Sequence, residues 1–285
     1  MNEAVKQFKE MEREQTLLSE EYQPLHTLYH YTDFNTLLEY ILPFFRLRLS
    51  SKRATNDPFE NQNLFINAGG LLPSDGGRRA DLITEEVSKV INDKIRIISF
   101  CLNNEGEKGF DYFGHMKPRM WAQYGDDFKG VCIALNLEKL ISQNKLNEKA
   151  DIFCKNISYL KTEGNWRWKN KTRIDYSQFP RSTDDKIIKN NLIKKKIDEI
   201  IFTKHFDFSD ENEYRICEIT EEEYTYLNIS KSIVGISFNC HKMKENKDSI
   251  DMLCKFAKKN NVLITDLNWG NNQVLDWHTK TNRNR

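Results

Sequence analysis

Three short apolar runs constrain this chain most: "IRIISF" at 95–100, "GVCIALN" at 130–136 and "SIVGISF" at 232–238. Each is rich in β-branched residues and too short for an ordinary helix, so each predicts a buried strand. Between them lie stretches with helical apolar spacing, "LITEEVSKVI" at 82–91, "LEKLISQN" at 137–144 and "KDSIDMLCKFAKKN" at 247–260. Strands interleaved with helices predict an α+β class with flanking helices rather than a bundle. Further strands are expected at 28–31, in "FRLRLS" and "ISYLK", over 213–219 and in "VLITDLN". "FNTLLEYIL" reads as a helix capped by Thr32 or Asp33, and "RMWAQYG" as a short helix. The glycine-rich "NAGGLLPSDGGRRA" at 67–80 reads as turns in a flexible segment or lid.

Residues 1–24 form an expected N-terminal helical extension, with Val5, Phe8 and Met11 at helical spacing. The remainder, 25–285, reads as a single domain. Residues 161–210 are more polar and read as a helical, basic insertion carrying "DDKIIKNNLIKKKIDEIIFTKHF". The formal net charge is only +1, so the chain as a whole is not a polycation directed at nucleic acid. No N-terminal signal-like segment and no apolar run of membrane-spanning length is present, and none of the six cysteines forms a C-x-x-C pair. A reduced, cytoplasmic setting without a membrane partner is the expectation. No Walker loop, G-x-G-x-x-G, H-E-x-x-H or G-x-S-x-G occurs, and Cys240 beside His241 lacks a completing ligand set, so no metal is expected.

The chemistry-bearing stretch is "DENEYRICEIT" at 210–220. Strand period two would put Glu211, Glu213 and Arg215 on one side, with Tyr214 and Ile216 on the other. Such a row suits a solvated edge with a surface ion pair, and equally the rim of an active site where a carboxylate steadies a cationic transition state. His30 ends an apolar strand, followed by Tyr31 and Thr32; it suits either core packing or a ribose contact. Trp121 and Tyr124 share a helix face, and Phe100 ends "IRIISF"; flat rings there suit the core or an aromatic ligand. "NWRWKNKTR" interleaves Trp166 and Trp168 with Arg167, Lys169, Lys171 and Arg173. Rings beside cations are what a single nucleic-acid strand uses, and also what a surface packing segment shows.

Taken in order, "LYHYTD", "LRLSS", "NDPFE", "MWAQY", "GVCIAL", "ENEYRI" and "SIVGISF" resemble a widespread bacterial family of uncharacterised domains over roughly residues 27–240. More distantly, the order histidine, aromatic, glutamate is similar to the ADP-ribosyltransferase superfamily and its split β-sheet core. The resemblance implies NAD as donor. It places His30, Thr32, Phe100 and Tyr124 at the cofactor, Glu213 as catalytic glutamate and Glu211 as its acidic neighbour; Tyr31, Trp121 and Arg215 are expected beside the same cofactor. The chain departs from the pattern at Tyr31, where glycine is common, at Phe100, where a tyrosine is common, and at Met120, where serine is frequent.

An RNA or DNA acceptor, attacking the nicotinamide ribose C1′, is the expectation drawn from the basic aromatic segment. A bacterial toxin or phage-defence effector, with a neutralising antitoxin or regulatory protein as partner, fits that chemistry. The alternatives are a protein acceptor, a metal-dependent nuclease using Asp57, Glu211 and Glu213, and a non-catalytic nucleic-acid- or partner-binding module.

Overall fold

In the computed structural model, residues 27–52, 74–107, 112–161, 183–239, 242, 247–268 and 273–276 are described. The elements in chain order are β1 (Thr27–Thr32), α1 (Phe34–Thr36, continued by a wider turn to Ile41), β2 (Arg46–Ser51), α2 (Ser74–Lys89) and β3 (Ile95–Cys101). Then come α3 (Pro118–Tyr124), β4 (Val131–Asn136), α4 (Leu137–Asn144), β5 (Ile152–Asn156), β6 (Ser158–Leu160) and α5 (Asp185–Lys196, continued by a wider turn to Ile201). The chain closes with β7 (Thr203–His205), β8 (Glu213–Ile219), β9 (Thr225–Asn228), β10 (Ile233–Phe238), α6 (Lys247–Asn260), β11 (Leu263–Asn268) and β12 (Gln273–Asp276). The fold is mixed α+β, with mostly antiparallel strands flanked by helices. Among the described residues no helix is long and apolar enough to cross a membrane.

The chain divides into two compact units, each assembled from separate segments. The first takes Met1–Leu47, Phe100–Asn144 and Asn228–Arg285; the second takes Arg48–Ser99 and Lys145–Leu227.

In the first unit β4 lies between β1 and β10, antiparallel to both, with Tyr31 opposite Cys132 and Ile236 opposite Ile133. β10 and β11 run parallel, which a tight turn cannot connect; α6 supplies the crossover. Strand β1 alternates, so Tyr29 and Tyr31 are buried on one face and His30 and Thr32 are half-buried on the other. Tyr29 and Tyr31 pack with Trp121, Met120, Cys101, Cys132 and Ala134. Asp33 ends β1 and starts α1, its Oδ1 accepting the Thr36 N–H at 2.7 Å. Of the two caps expected there, the aspartate is the one used.

The turn after α3 is unusual. Asp126, Asp127 and Phe128 all have left-handed backbones, with φ of 48°, 48° and 66°. A side chain in that region costs roughly 1–2 kcal/mol per residue, so packing must hold it. Two bonds do so: Phe128 N–H donates to the Trp121 carbonyl at 3.2 Å and Gly130 N–H to the Gly125 carbonyl at 2.8 Å. The turn delivers Gly130 so close to β1 that a methyl there would lie 2.3 Å from the Thr32 carbonyl oxygen.

In the second unit α2 and α5 present Ile83, Val87, Ile188 and Leu192 to a core shared with Ile95, Ile97, Ile157, Ile201 and Cys217. Each such side chain contributes about 1.5–3 kcal/mol on burial. β8 pairs antiparallel with β5 over Tyr214–Glu218 and also lies against β3. The parallel pair β6–β7 is joined through α5, a second crossover. The lysine-rich stretch is thus structural on one side: Ile188 and Leu192 are buried while Lys186, Lys194 and Lys195 are exposed.

The structure corrects the sequence reading in places. Gly76 and Gly77, expected in turns, lie near the start of α2. Two helical glycines cost about 1 kcal/mol each, less than the apolar stripe that follows contributes. "FTKHF", read as the tail of a helix, contains strand β7, because Thr203, Lys204 and His205 pair with Ser158, Tyr159 and Leu160 of β6. Strands β5, β9 and β12 are not signalled by the sequence: their short runs lack a clean period.

We expect Gly130→Ala to lower the unfolding free energy by about 1–3 kcal/mol, through the clash with the Thr32 backbone. A urea titration checks this; an unchanged midpoint would show that the turn has room to relax.

Candidate functional site: a buried acid pair bridged by lysine

Glu213 opens β8, and Arg215 follows two residues later on the same face. Glu211 reaches the same place by a different route. It ends the tight helical turn Phe206–Glu211, and Asn212, left-handed at φ 44°, swings the chain into the strand. The expected two-residue strand period therefore accounts for Glu213 and Arg215 and not for Glu211. Nor is the group a solvated edge: the side chains of Glu211 and Glu213 are each 4% exposed and that of Arg215 is 2% exposed.

The geometry is closely specified. Arg215 Nε donates to Glu213 Oε1 at 2.7 Å, and Nη2 lies 2.6 Å from the same oxygen. Arg215 Nη1 donates to the Ile201 carbonyl at 2.6 Å. Lys204, from β7, donates from Nζ to Glu211 Oε2 at 2.6 Å and lies 3.4 Å from Glu213 Oε2. Its ammonium also sits 4.6 Å from the centre of the Phe208 ring. The Glu213 N–H donates to the Tyr159 hydroxyl at 2.8 Å. Among the described residues, two carboxylates and two cations meet in this buried cluster.

Burial by itself would raise the Glu213 pKa. The Arg215 guanidinium, the Lys204 ammonium and a hydrogen bond with Ser99 outweigh it, and the carboxyl is held below its ordinary range. Taking ions out of water costs several kcal/mol each, so such a group persists only when every charge is answered. Lys204, Ser99 and Tyr159 are the members sequence reasoning missed. The one available signal for Lys204 was a lone cation inside "FTKHF", once that run is read as a strand.

In the first unit the residues expected at a cofactor separate onto two faces of β1. His30 meets Phe100 with ring centres 5.7 Å apart. Phe100 itself is 2% exposed. Tyr31 faces the other way, edge-on to Trp121 at 5.3 Å, and its hydroxyl donates to the Gly114 carbonyl at 2.6 Å. Trp121 is fully buried, and its indole N–H donates to the His115 carbonyl at 2.7 Å. Tyr124 packs against that same cluster, and its hydroxyl accepts from Gln123. His115, between the rings of Tyr29 and Phe113, is pushed down to about 4 by burial and stays neutral at pH 7. Thr32 is half-buried on the His30 face.

Trp166, Arg167, Trp168, Lys169, Lys171 and Arg173 lie outside the described residues, as does Asp57 of the nuclease alternative. Among the described residues no group of three histidine, cysteine, aspartate or glutamate side chains is placed to hold a metal ion.

A family model described as "Protein of unknown function (DUF2971)" matches residues 120–216, about a third of the chain. The matched span runs from α3 to the middle of β8. No curated protein and no solved structure matches the chain.

Breaking a buried ion pair strands the surviving charge, so Arg215→Met is expected to destabilise the protein by about 3–5 kcal/mol in urea unfolding. A carboxyl whose folded pKa is depressed adds stability above its ordinary value near 4.5, and that stability is lost as pH falls through the folded pKa. Wild-type stability should therefore drop on acidification below pH 4.5, and Glu213→Gln should flatten that slope; equal slopes would show that Glu213 is not ionised in the fold.

Proposed function

We propose that the chain is an NAD-dependent ADP-ribosyltransferase in which Glu213 is the catalytic carboxylate. The observation that carries this reading is the pinning of Glu213: an ionised carboxylate at the start of a strand, fixed by Arg215 and Lys204, at the position the glutamate takes in the superfamily's pattern. Bound NAD supplies an activated bond between ribose C1′ and the nicotinamide nitrogen. Glu213 would accept a hydrogen bond from the 2′-hydroxyl of that ribose. As the bond breaks, nicotinamide leaves with its electron pair and positive charge grows on the sugar. A fixed anion stabilises that charged state more than the ground state, which lowers the barrier. Glu211 would take the proton of the acceptor as its new bond to C1′ forms. Arg215 holds Glu213 in place. The resemblance assigns the remaining ribose contacts to His30 and Thr32, with the Phe100 ring beside His30. Trp121, Tyr31 and Tyr124 are given no direct role, because all three pack into one cluster on the opposite face of β1.

A nucleic-acid acceptor remains the preferred class, on the strength of "NWRWKNKTR" and the exposed lysines of α5, and a toxin or defence effector with a controlling partner protein is the setting that suits it. The near-complete burial of all four charged side chains favours a second reading, a non-catalytic binding module in which the cluster only specifies the fold.

Incubation with labelled NAD and RNA, DNA or protein separates these readings. Wild-type protein should transfer label and Glu213→Gln should do so about 100-fold more slowly or worse. Equal transfer by the folded variant removes Glu213 from its role. Absence of both transfer and NAD binding supports the module, and magnesium-dependent cleavage without NAD supports the nuclease.

A further inference from the structure

The first unit carries a hollow of about 490 Å³ lined by Lys139, Ser142, Gln143 and Lys231. It shares no residue with the acid cluster. Lys139 and Ser142 stand three apart on α4 and so lie on one face of it. Lys231 comes from the loop between β9 and β10. Both lysines and Ser142 are exposed, and Gln143 is half-buried. No carboxylate lines the hollow, and among the described residues neither lysine forms an ion pair. Glu138, the acid in the first turn of α4, is not part of the lining. Two cationic side chains from separate elements thus border one space with no anion in its walls.

A surface lysine is ordinarily a mobile, solvated group that gains little from one partner. Here the backbone carrying Lys231 is held against the helix. Gln143 Oε1 accepts the Lys231 N–H at 3.0 Å, and Gln143 Nε2 donates to the Ser232 hydroxyl at 3.0 Å and to the Asn228 carbonyl. Asn144 accepts the Asn228 N–H at 2.8 Å and donates to the Asn228 carbonyl at 2.8 Å. Two consecutive amide side chains therefore grip both ends of the loop, and the backbones of Lys139 and Lys231 are spaced before any ligand arrives. Such preorganisation lowers the entropy cost of binding. The Ser142 hydroxyl donates to the Lys139 carbonyl at 3.2 Å. That is long for an O–H···O bond, ordinarily about 2.7–2.8 Å, so the hydroxyl can exchange it for an anionic oxygen.

We propose that this hollow binds a phosphate monoester, with Lys139 and Lys231 answering its charge and Ser142 donating a hydrogen bond. A phosphate monoester carries about −1.5 to −2 at pH 7, which two ammonium groups match, whereas a carboxylate carries a single charge. Lysine serves phosphate as a point charge, without the planar fork that arginine offers. The volume lies within the roughly 300–1,000 Å³ of small-molecule sites, so the phosphate is one end of a larger ligand. A free mononucleotide and the 5′-phosphorylated end of a nucleic-acid strand present the same chemistry. The site goes beyond the transferase reading and does not depend on it.

Calorimetric titration of the full chain tests this with 5′-AMP, with adenosine as its phosphate-free counterpart, and with a short single-stranded DNA carrying or lacking a 5′-phosphate. AMP should bind, adenosine should not, and binding should weaken as salt rises. Lys139→Gln and Lys231→Gln should each weaken AMP binding about fivefold, the double variant should abolish it, and the two arginine variants should retain it. Both positions are exposed, so the variants should melt as wild type does. Given AMP binding that the double variant loses, a strand bound more tightly with its 5′-phosphate than without assigns the site to nucleic-acid ends; equal binding of the two strands assigns it to free nucleotides. No AMP binding, equal binding of adenosine, or AMP binding unchanged in the folded double variant overturns the proposal. The last result would also be given by AMP held at an NAD site elsewhere. Label transfer from NAD plays no part in this measurement, so failure of the transferase reading and failure of the phosphate site are seen separately.

Discussion

The ion pair between Arg215 and Glu213 is the interaction on which the second unit depends. Both side chains are almost wholly removed from water, and neither is tolerable there without the other. Their bond does more than cancel charge. Arg215 also reaches the Ile201 carbonyl at the end of α5's continuation, so the guanidinium ties strand β8 to the helical layer. Glu213 brings Lys204, hence β7, into the same cluster, and Lys204 brings the Phe206–Glu211 turn through Glu211. Four elements are thereby registered by a few charge-assisted bonds, which are shorter and more directional than apolar contacts. The apolar core of Ile83, Val87, Ile188 and Leu192 supplies bulk stabilisation without that directionality.

The first unit is organised by a different constraint, close approach of backbone. Gly130 can pass the Thr32 carbonyl only because it has no side chain, and three left-handed residues bring it there. Gly114 is similar: a methyl would meet the Tyr29 ring at 2.4 Å. Its carbonyl accepts from the Tyr31 hydroxyl, so one residue accommodates one tyrosine and bonds the other. These contacts clamp β1 on its aromatic face and leave His30 and Thr32 on the face opposite. Strain is commonly stored near working parts of proteins, and here it lies beside the end of β1.

Chemically, the site is a study in how a carboxylate is made dependable. An exposed glutamate reorients and is screened by water; Glu213 is ionised, oriented and dry. Those are the properties needed to discriminate a charged transition state from a neutral ground state. The same properties also serve a purely architectural cluster, and it is chemistry on a labelled donor that separates the two.

Much of the secondary structure was legible in the chain. β3, β4, β10 and α6 follow from β-branched runs and helical spacing, because those patterns reflect burial that each segment needs whatever its neighbours do. Thr203–His205 and Ile152–Asn156 were not legible, since three to five residues with mixed polarity acquire strand character from the partner they pair with. The glutamates and the arginine could be named from "ENEYR", and their types already spoke of paired charge. Whether that pair stood in water or in the interior was a matter of which elements cover β8, and that is long-range packing. The sequence by itself determined the α+β alternation, the cap at Asp33 and the chemistry available at residues 211–215. Only the tertiary structure decided that Lys204 joins that chemistry and that Trp121 is buried in the core with Tyr124 packed half-buried against it, because burial and ion pairing are properties of surfaces brought together from distant parts of the chain.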